Sequence, residues 1–185
     1  DLGRFQLGIP GRHNVHNALA ALAVALNLGL SPESLQALLP RFTGIHRRFE
    51  HHGLWQGVTL IDDYAHHPAE IQATLAAART VQEEAARKAS AQEAGRIICI
   101  FQPHTYTRTH ALLKEFAEAL ALADVAVVAE IYAAREPDEG LVHSRDLAAL
   151  VESLGTPAVY APDYDLAAKA AARLARPGDM IKSEA

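Results

Sequence analysis

Side chains able to do acid–base or anion-binding work crowd into three short stretches. "IDDYAHHPAE" (61–70) sets two carboxylates, a tyrosine and two adjacent histidines between an apolar run and a helix-like run. "QPHTYTRT" (102–109) directly follows a second apolar run, and "YAAREPDEG" (132–140) follows a third. In a strand, Asp62 and Asp63 point to opposite faces, so they are not a paired acid–base dyad. Asp63, Tyr64, His66 and His67 are instead placed to face a crevice. A zinc site needs three or four converging ligands. Asp63, His66 and His67 supply ligand types without a standard spacing, so no metal site is assigned and a small metal enzyme is kept as a rival. A helix start, with Pro68 in the first turn and Asp or His as cap, explains the proline. It does not explain two histidines and a tyrosine together, and a ligand pocket is expected.

The second stretch offers Gln102, His104, Tyr106, Thr107, Arg108 and Thr109. A cation at a helix start is disfavoured by the helix dipole. A bound carboxylate or phosphate would resolve that for Arg108, because a guanidinium grips such groups bidentately. Solvation, or an ion pair with Asp63 or Glu130, is the plainer alternative. In "GRHNVHN" (11–17), Asn14 and Asn17 stand at i, i+3 and share one helix face. Two amides so placed read a purine edge, or are simply a cap and a surface residue. There is no G-x-x-x-x-G-K-[ST] phosphate loop and no G-x-S-x-G nucleophile elbow.

These residues need a scaffold. Half of the 185 residues are apolar, enough for a sizeable core. The net charge of −5 gives no broad attraction to nucleic acid or acidic membrane. No apolar run approaches the length of a membrane span, and a cytoplasmic protein is expected. The single cysteine, Cys99, lies in "RIICIF" and reads as a buried small hydrophobe. The chain begins at Asp1 without an initiator Met and ends abruptly at "GDMIKSEA", so it is read as part of a longer protein.

Residues 14–30 are nearly apolar all round and predict a buried helix capped by Asn14. Ser31 caps a second helix with Pro32 at its first position. "RRFEHHGLWQ" and "GVTLIDDY" predict a hairpin around Gln56–Gly57. Apolar runs at 58–62, 97–102, 125–131, 157–161 and 179–181 then alternate with helix-like segments at 68–93, 108–122, 144–154 and 163–175. That alternation marks βαβ units and a parallel sheet, whose ligands sit at the carboxyl ends of the strands. All three polar stretches fall there. The polar, Ala-rich segment 82–95 is a helix end or a mobile loop, with no function assigned.

"GRHNVHNALAALAVA", "FTGIHRRFE", "DDYAHHPAEI", "FQPHTYTRT" and "IYAAREP" together resemble the Mur ligase family, ATP-dependent amide-forming enzymes of peptidoglycan precursor synthesis. The resemblance implies an α/β fold: a Rossmann-like, parallel-rich sheet flanked by helices, preceded by a helical segment. Residues 1–45 would then close a central ATPase domain, whose phosphate loop lies elsewhere. Residues 46–185 would be the C-terminal amino-acid-binding domain. Implied partners are UDP-N-acetylmuramate, L-alanine and ATP with Mg2+, the metal held mainly outside this chain, together with the missing N-terminal and central domains. Asn14 and Asn17 match residues that contact adenine. Arg48, or Arg47 beside it, matches a hinge arginine that reaches the nucleotide. Asp63 matches an aspartate near the ribose and phosphates. His66 and Arg108 match residues around the alanine, with Tyr64 and His104 lining the same mouth. Thr105 stands where many members carry Arg, and the "GAG" turn usual after "GDMI" is absent, which is expected to weaken the last strand. A ligase for the murein tripeptide, and a non-catalytic nucleotide- or anion-binding domain, are the alternatives.

Overall fold

The computed structural model describes residues 2–90 and 94–184. Helix α1 (Arg12–Asn27) and helix α2 (Pro32–Leu38), continued by a 3-10 turn (Leu39–Arg41), come first. A hairpin follows, β1 (Glu50–Trp55) with β2 (Val58–Asp63). The remaining elements are α3 (Pro68–Lys88), β3 (Ile97–Phe101), α4 (Tyr106–Ala111), α5 (Leu113–Leu120) and β4 (Val125–Ala129). Then come α6 (Ser144–Ser153), β5 (Ala158–Ala161), α7 (Tyr164–Leu174) and β6 (Met180–Glu184). The six strands form one sheet in the order β1-β2-β6-β3-β4-β5. Only β1 runs antiparallel to its neighbour.

The period of two along β3 divides the core. Ile97, Cys99 and Phe101 face one side, where they join Ile71 and Leu75 of α3, Phe116 of α5 and Leu147 of α6. Ile98 and Ile100 face the other, toward Ala167 and Ala171 of α7. Cys99 is the buried hydrophobe expected, and burial pushes its thiol well above the usual range. The hairpin turn falls where the sequence places it: Gln56 and Gly57 take φ of 49° and 80°. Two positive φ values in a row make a turn whose twist matches the strands it joins. At the same end of the sheet the Gly178 N–H donates to the Gly57 carbonyl at 2.9 Å, and a Cβ on Gly95 would lie 1.8 Å from the carbonyl oxygen of Gly178. Only glycine allows that approach. Asp179 ties the same corner, accepting from the backbone N–H of Arg96 (2.9 Å) and of Arg176 (2.9 Å) and from the Arg96 guanidinium (2.7 Å).

Three expectations change. Asn14 does not cap α1: Gly11 holds that place, and the Asn14 amide donates to the Pro10 carbonyl at 2.6 Å. Helix α1 is not buried either. Among the described residues only its Leu22 is buried, while Val15, Leu19 and Val24 are exposed, because α1 meets the rest of the chain along one side. The segment 108–122 is two helices, divided at Leu112, where φ and ψ become −117° and 21°. Strand β6 is central, pairing with both β2 and β3. In the segment 82–95, α3 continues to Lys88, and residues 91–93 lie outside the described residues. No described helix is long and apolar enough to cross a membrane.

Strand β6 carries two fully buried charges, Lys182 and Glu184, hydrogen-bonded to each other. Thr74 donates to Glu184 at 3.2 Å, and Asp63 lies 4.0 Å from the ammonium. Burial opposes the Lys182 ammonium, but Glu184 and Asp63 outweigh it and hold its pKa above the usual lysine value. Removing one member of such a pair leaves an uncompensated charge, whereas replacing both with apolar groups is near neutral. Lys182→Ala is therefore expected to lower stability by about 3–5 kcal/mol, and Lys182→Met with Glu184→Leu to leave it equal or higher. Urea unfolding of the two variants measures this; equal losses in both would contradict it.

Candidate functional site

The linker between the helices and the hairpin is held in an unusual conformation. Arg47 and Phe49 have φ of 55° and 52°, a region few non-glycine residues adopt. Three hydrogen bonds hold it there. The Phe49 N–H donates to Asp63 Oδ2 (2.7 Å), the Arg47 N–H to Glu50 Oε2 (2.8 Å), and the Tyr64 N–H to the Arg47 carbonyl (2.7 Å). Asp63 Oδ1 also accepts from the Ala65 N–H at 2.9 Å. Asp63 is thus a buried carboxylate whose two oxygens join the carboxyl end of β2 to the linker. Asp62 turns to the opposite face, where Ser183 donates to it at 2.8 Å.

Under this linker lies a cleft of ≈ 820 Å³ between α1, the linker and the start of α3. Asn14, Asn17, Arg48 and Asp63 all line it, so these four predicted residues meet in one place. The Asn17 amide donates to Asn14 Oδ1 at 3.4 Å, which aligns the two side chains on one face of α1. Leu39, Phe42 and Ile45 make the cleft largely apolar. Of the two arginines confused in sequence, Arg48 lines this cleft, and Arg47 lies beside Asp62 at 3.4 Å. Both guanidiniums sit over the Tyr64 ring, at 4.7 Å for Arg47 and 5.6 Å for Arg48.

From Tyr64 a row of side chains leads away from the cleft. The His66 ring meets Tyr64 edge-on at 5.2 Å between centroids. His66 Nδ1 lies 3.0 Å from the Tyr64 carbonyl. That oxygen only accepts, so Nδ1 carries the proton, and in the neutral ring Nε2 is the basic atom. His67 is different: its Nδ1 accepts from the Ala69 N–H at 3.3 Å and caps α3. His104 comes next, stacked on Tyr132 at 5.1 Å, with its Nδ1 buried and without a partner among the described residues. Burial first, then the charges of Arg108 and His66, hold His104 below the usual histidine pKa. Tyr64, His66, His104 and Arg108 therefore form one neighbourhood.

Arg108 makes neither alternative ion pair. Asp63 is occupied as described. Glu130 accepts from Tyr160 (2.6 Å), lies 3.1 Å from His143 Nε2, and accepts from the Ile131 N–H (2.9 Å). Among the described residues the Arg108 side chain has no hydrogen bond or ion pair. Two residues of this neighbourhood were not singled out from sequence. Glu136, in the third stretch, accepts from the Thr107 N–H (2.9 Å) and hydroxyl (2.5 Å) at the start of α4. That supplies an anion for the positive end of the helix. Glu70 accepts from the His66 N–H at 3.1 Å and lines the cleft. Its place three residues after the His67 cap was the available signal. Thr105, a β-branched residue at φ 69°, donates to the Tyr132 carbonyl at 2.9 Å and so docks the second loop on the third. Asp63, His66 and His67 do not converge: the first is held by amides, the second faces Tyr64 and the third caps a helix.

A mostly parallel open sheet, with an apolar cleft and a basic row at its carboxyl rim, defines an α/β domain of the kind whose ligands sit at that rim. The chain belongs to the Mur ligase family: residues 47–182 match the family described as Mur ligase, glutamate ligase domain. It is 46% identical over 180 residues to the UDP-N-acetylmuramate–L-alanine ligase of Caldanaerobacter subterraneus, covering 97% of this chain and 37% of that protein. The enzyme of the same name from Acetivibrio thermocellus is 45% identical over 176 residues, 95% of this chain and 35% of that one. The chain thus spans about a third of the length of the curated relatives it matches. Among solved structures, the UDP-N-acetylmuramate–alanine ligase of Thermotoga maritima superposes with a TM-score of 0.75 at 30% identity, covering 97% of this chain and 35% of that one. A folylpolyglutamate synthase of Mycobacterium tuberculosis shares the fold alone, with a TM-score of 0.64 at 20% identity, covering 97% of this chain and 39% of that one.

His104 gives a direct check on the basic row. Its folded pKa is lowered, so the folded state binds fewer protons than the unfolded one between that pKa and about 6.5. Its contribution is full above the unfolded value and is lost as pH falls through the folded one. An NMR titration should find His104 below a free histidine, and Arg108→Ala should raise it. A His104 pKa unmoved by Arg108→Ala would place the two groups apart.

Proposed function

We propose that this chain is the amino-acid-binding part of an ATP-dependent carbon–nitrogen ligase that joins L-alanine to UDP-N-acetylmuramate, in the cytoplasmic synthesis of peptidoglycan precursors. Residues 1–45 are then the end of the central ATP-binding domain, and residues 46–185 the C-terminal domain. The carrying observation is the convergence of Asn14, Asn17, Arg48 and Asp63 on one cleft, with His66, His104 and Arg108 beside it. The names of the relatives support the choice of L-alanine over a murein tripeptide.

Amide formation in water is uphill, so the carboxylate must first be activated. The muramyl carboxylate takes the γ-phosphoryl group of ATP and becomes an acyl phosphate. The alanine amine attacks the acyl carbon, a tetrahedral intermediate forms, and phosphate leaves. Adenine would lie against the paired amides of Asn14 and Asn17, with Arg48 closing over the nucleotide from the linker. The guanidinium of Arg108 would hold the alanine carboxylate, which aims the amine and supplies the entropic part of the acceleration. The amine must be neutral to attack, and His66 Nε2 is placed to take its proton. The neutral ring of His104 would line the same mouth. The carboxylates that line this cleft, Asp63 and Glu70, are engaged by backbone amides. The ligands of the Mg2+ that accompanies ATP would lie mainly outside this chain, which has no phosphate loop and is not expected to ligate by itself.

The test is kinetic, in the full enzyme containing this chain. A charged hydrogen bond is worth about 1.5–3 kcal/mol, so Arg108→Ala should raise KM for L-alanine about 10- to 100-fold. KM for ATP should change little; the reverse pattern would reject the role. In the same assay His66→Ala should lower kcat and remove a limb of the pH–rate profile. An unchanged profile would remove His66 as the base.

A further inference from the structure

The hairpin holds a second constellation, on the opposite face of the sheet from the nucleotide cleft. Glu50 and Asp62 are direct cross-strand partners in the β1–β2 ladder. Like charges so placed repel, since their Cβ atoms stand only about 5 Å apart. Beside them the ladder slips: the register shifts between His51 and Gly53, leaving His52 as the extra residue of a bulge. Bulges re-aim one side chain, and are common beside functional sites. Here the His52 imidazole Nε2 comes to 3.9 Å from Glu50 Oε2. One ligand atom from each of Glu50, His52 and Asp62 lies within 4.8 Å of the other two.

We propose that Glu50, His52 and Asp62 bind a divalent transition-metal ion such as Zn2+ or Mn2+. Two carboxylates with one imidazole are a ligand set for such ions, and the imidazole favours them over Mg2+ and Ca2+. Atoms bound to one zinc ion stand about 3.4 Å apart, given bonds of about 2.1 Å. The observed spacing is therefore closed by a small rotation of His52, whose side chain is half exposed. The ion relieves the Glu50–Asp62 repulsion that the ladder imposes. His46, at 3.0 Å from Glu50 Oε1, and Arg47, at 3.4 Å from Asp62 Oδ2, offset part of that charge, while the Arg47 N–H donates to Glu50 Oε2 and the Ser183 hydroxyl to Asp62 Oδ1, both at 2.8 Å. Each carboxylate keeps lone pairs beyond these bonds. The Arg47 N–H and His46 hold Glu50 below the usual carboxylate range, so it stands ready as an anion.

The position gives the ion room for further ligands. His52 and Asp62 line a second cleft of ≈ 570 Å³, together with Arg47, Gln102, Tyr164 and Ser183. A bound ion would face that cleft and leave coordination positions to water or a small anion. Glu50 also holds the linker through the Arg47 N–H, but His52 and Asp62, the residues varied below, line none of the proposed ligase cleft, so the two readings are tested separately.

Calorimetric titration of this chain with ZnCl2 tests the proposal. One Zn2+ per chain is expected at the tightest site, weakened at least about tenfold by His52→Ala and by Asp62→Asn. His51→Ala, the adjacent histidine, should leave it unchanged. Substoichiometric Mn2+ on the unaltered chain gives a readout that needs no variant. It should broaden the NMR signals of His52 and Gly53 before those of the other histidines. Absent binding, binding that survives His52→Ala and Asp62→Asn, equal loss in His51→Ala, or broadening that begins elsewhere would each overturn the site.

Discussion

The Asp63 carboxylate is the joint on which the site depends. Its two oxygens take the amides of Phe49 and Ala65, and both bonds are drawn from buried or half-buried groups. One bond reaches across to the linker, and the other tightens the exit from β2. Without them Phe49, at a φ of 52°, would keep only its packing against the core and the two bonds at Arg47, and the direction of Arg48 would loosen. A left-handed conformation costs about 1–3 kcal/mol at a non-glycine residue. A hydrogen bond to a charged acceptor returns a similar amount. The linker is therefore held in a strained shape by a carboxylate whose own position is set by the sheet.

The parallel sheet then multiplies this local arrangement. Because β2, β3 and β4 run in one direction, the loops that leave them emerge at the same rim. The loop after β3 docks on the loop after β4 through the Thr105–Tyr132 hydrogen bond and the His104–Tyr132 stacking. His66 and Arg108 come from different loops, yet both act on His104. His66, His104 and Arg108 are gathered at one rim, where Glu136 is engaged by Thr107 and the Arg108 side chain has no ion pair among the described residues; on the proposed reading that leaves the guanidinium to a carboxylate. The apolar cleft next to it suits a flat ring. The family reading joins these two features into one reaction, in which a nucleotide-activated acid meets an amine held by its own carboxylate.

Much of this was legible in the amino-acid order. Short continuous apolar runs located β2 through β5 and the start of β6, and the Gln56–Gly57 turn was readable from its residues. Capping by His67 and Ser31 followed from short-range chemistry. What could not be read depended on distant partners. The aspartate at 63 declares an anion but not that its partner is an amide 14 residues away. The apolar surface of α1 declares hydrophobicity but not what covers it. Lys182 and Glu184 in β6 contradict the expectation for a central strand, and only the sheet order shows that they are buried together. The bulge at His52 has no signature in the residues around it beyond the glycine that follows.

The central claim is that Asp63 positions the linker so that the cleft can receive a nucleoside. Amide hydrogen exchange combined with adenosine titration of this chain, in native form and as Asp63→Ala, measures it most directly. The account predicts faster exchange at Phe49 and Ala65, unchanged protection in β3 and β4, and loss of the adenosine-induced shifts at Asn14 and Asn17. Freed amides at Phe49 and Ala65 with adenosine binding intact would contradict it.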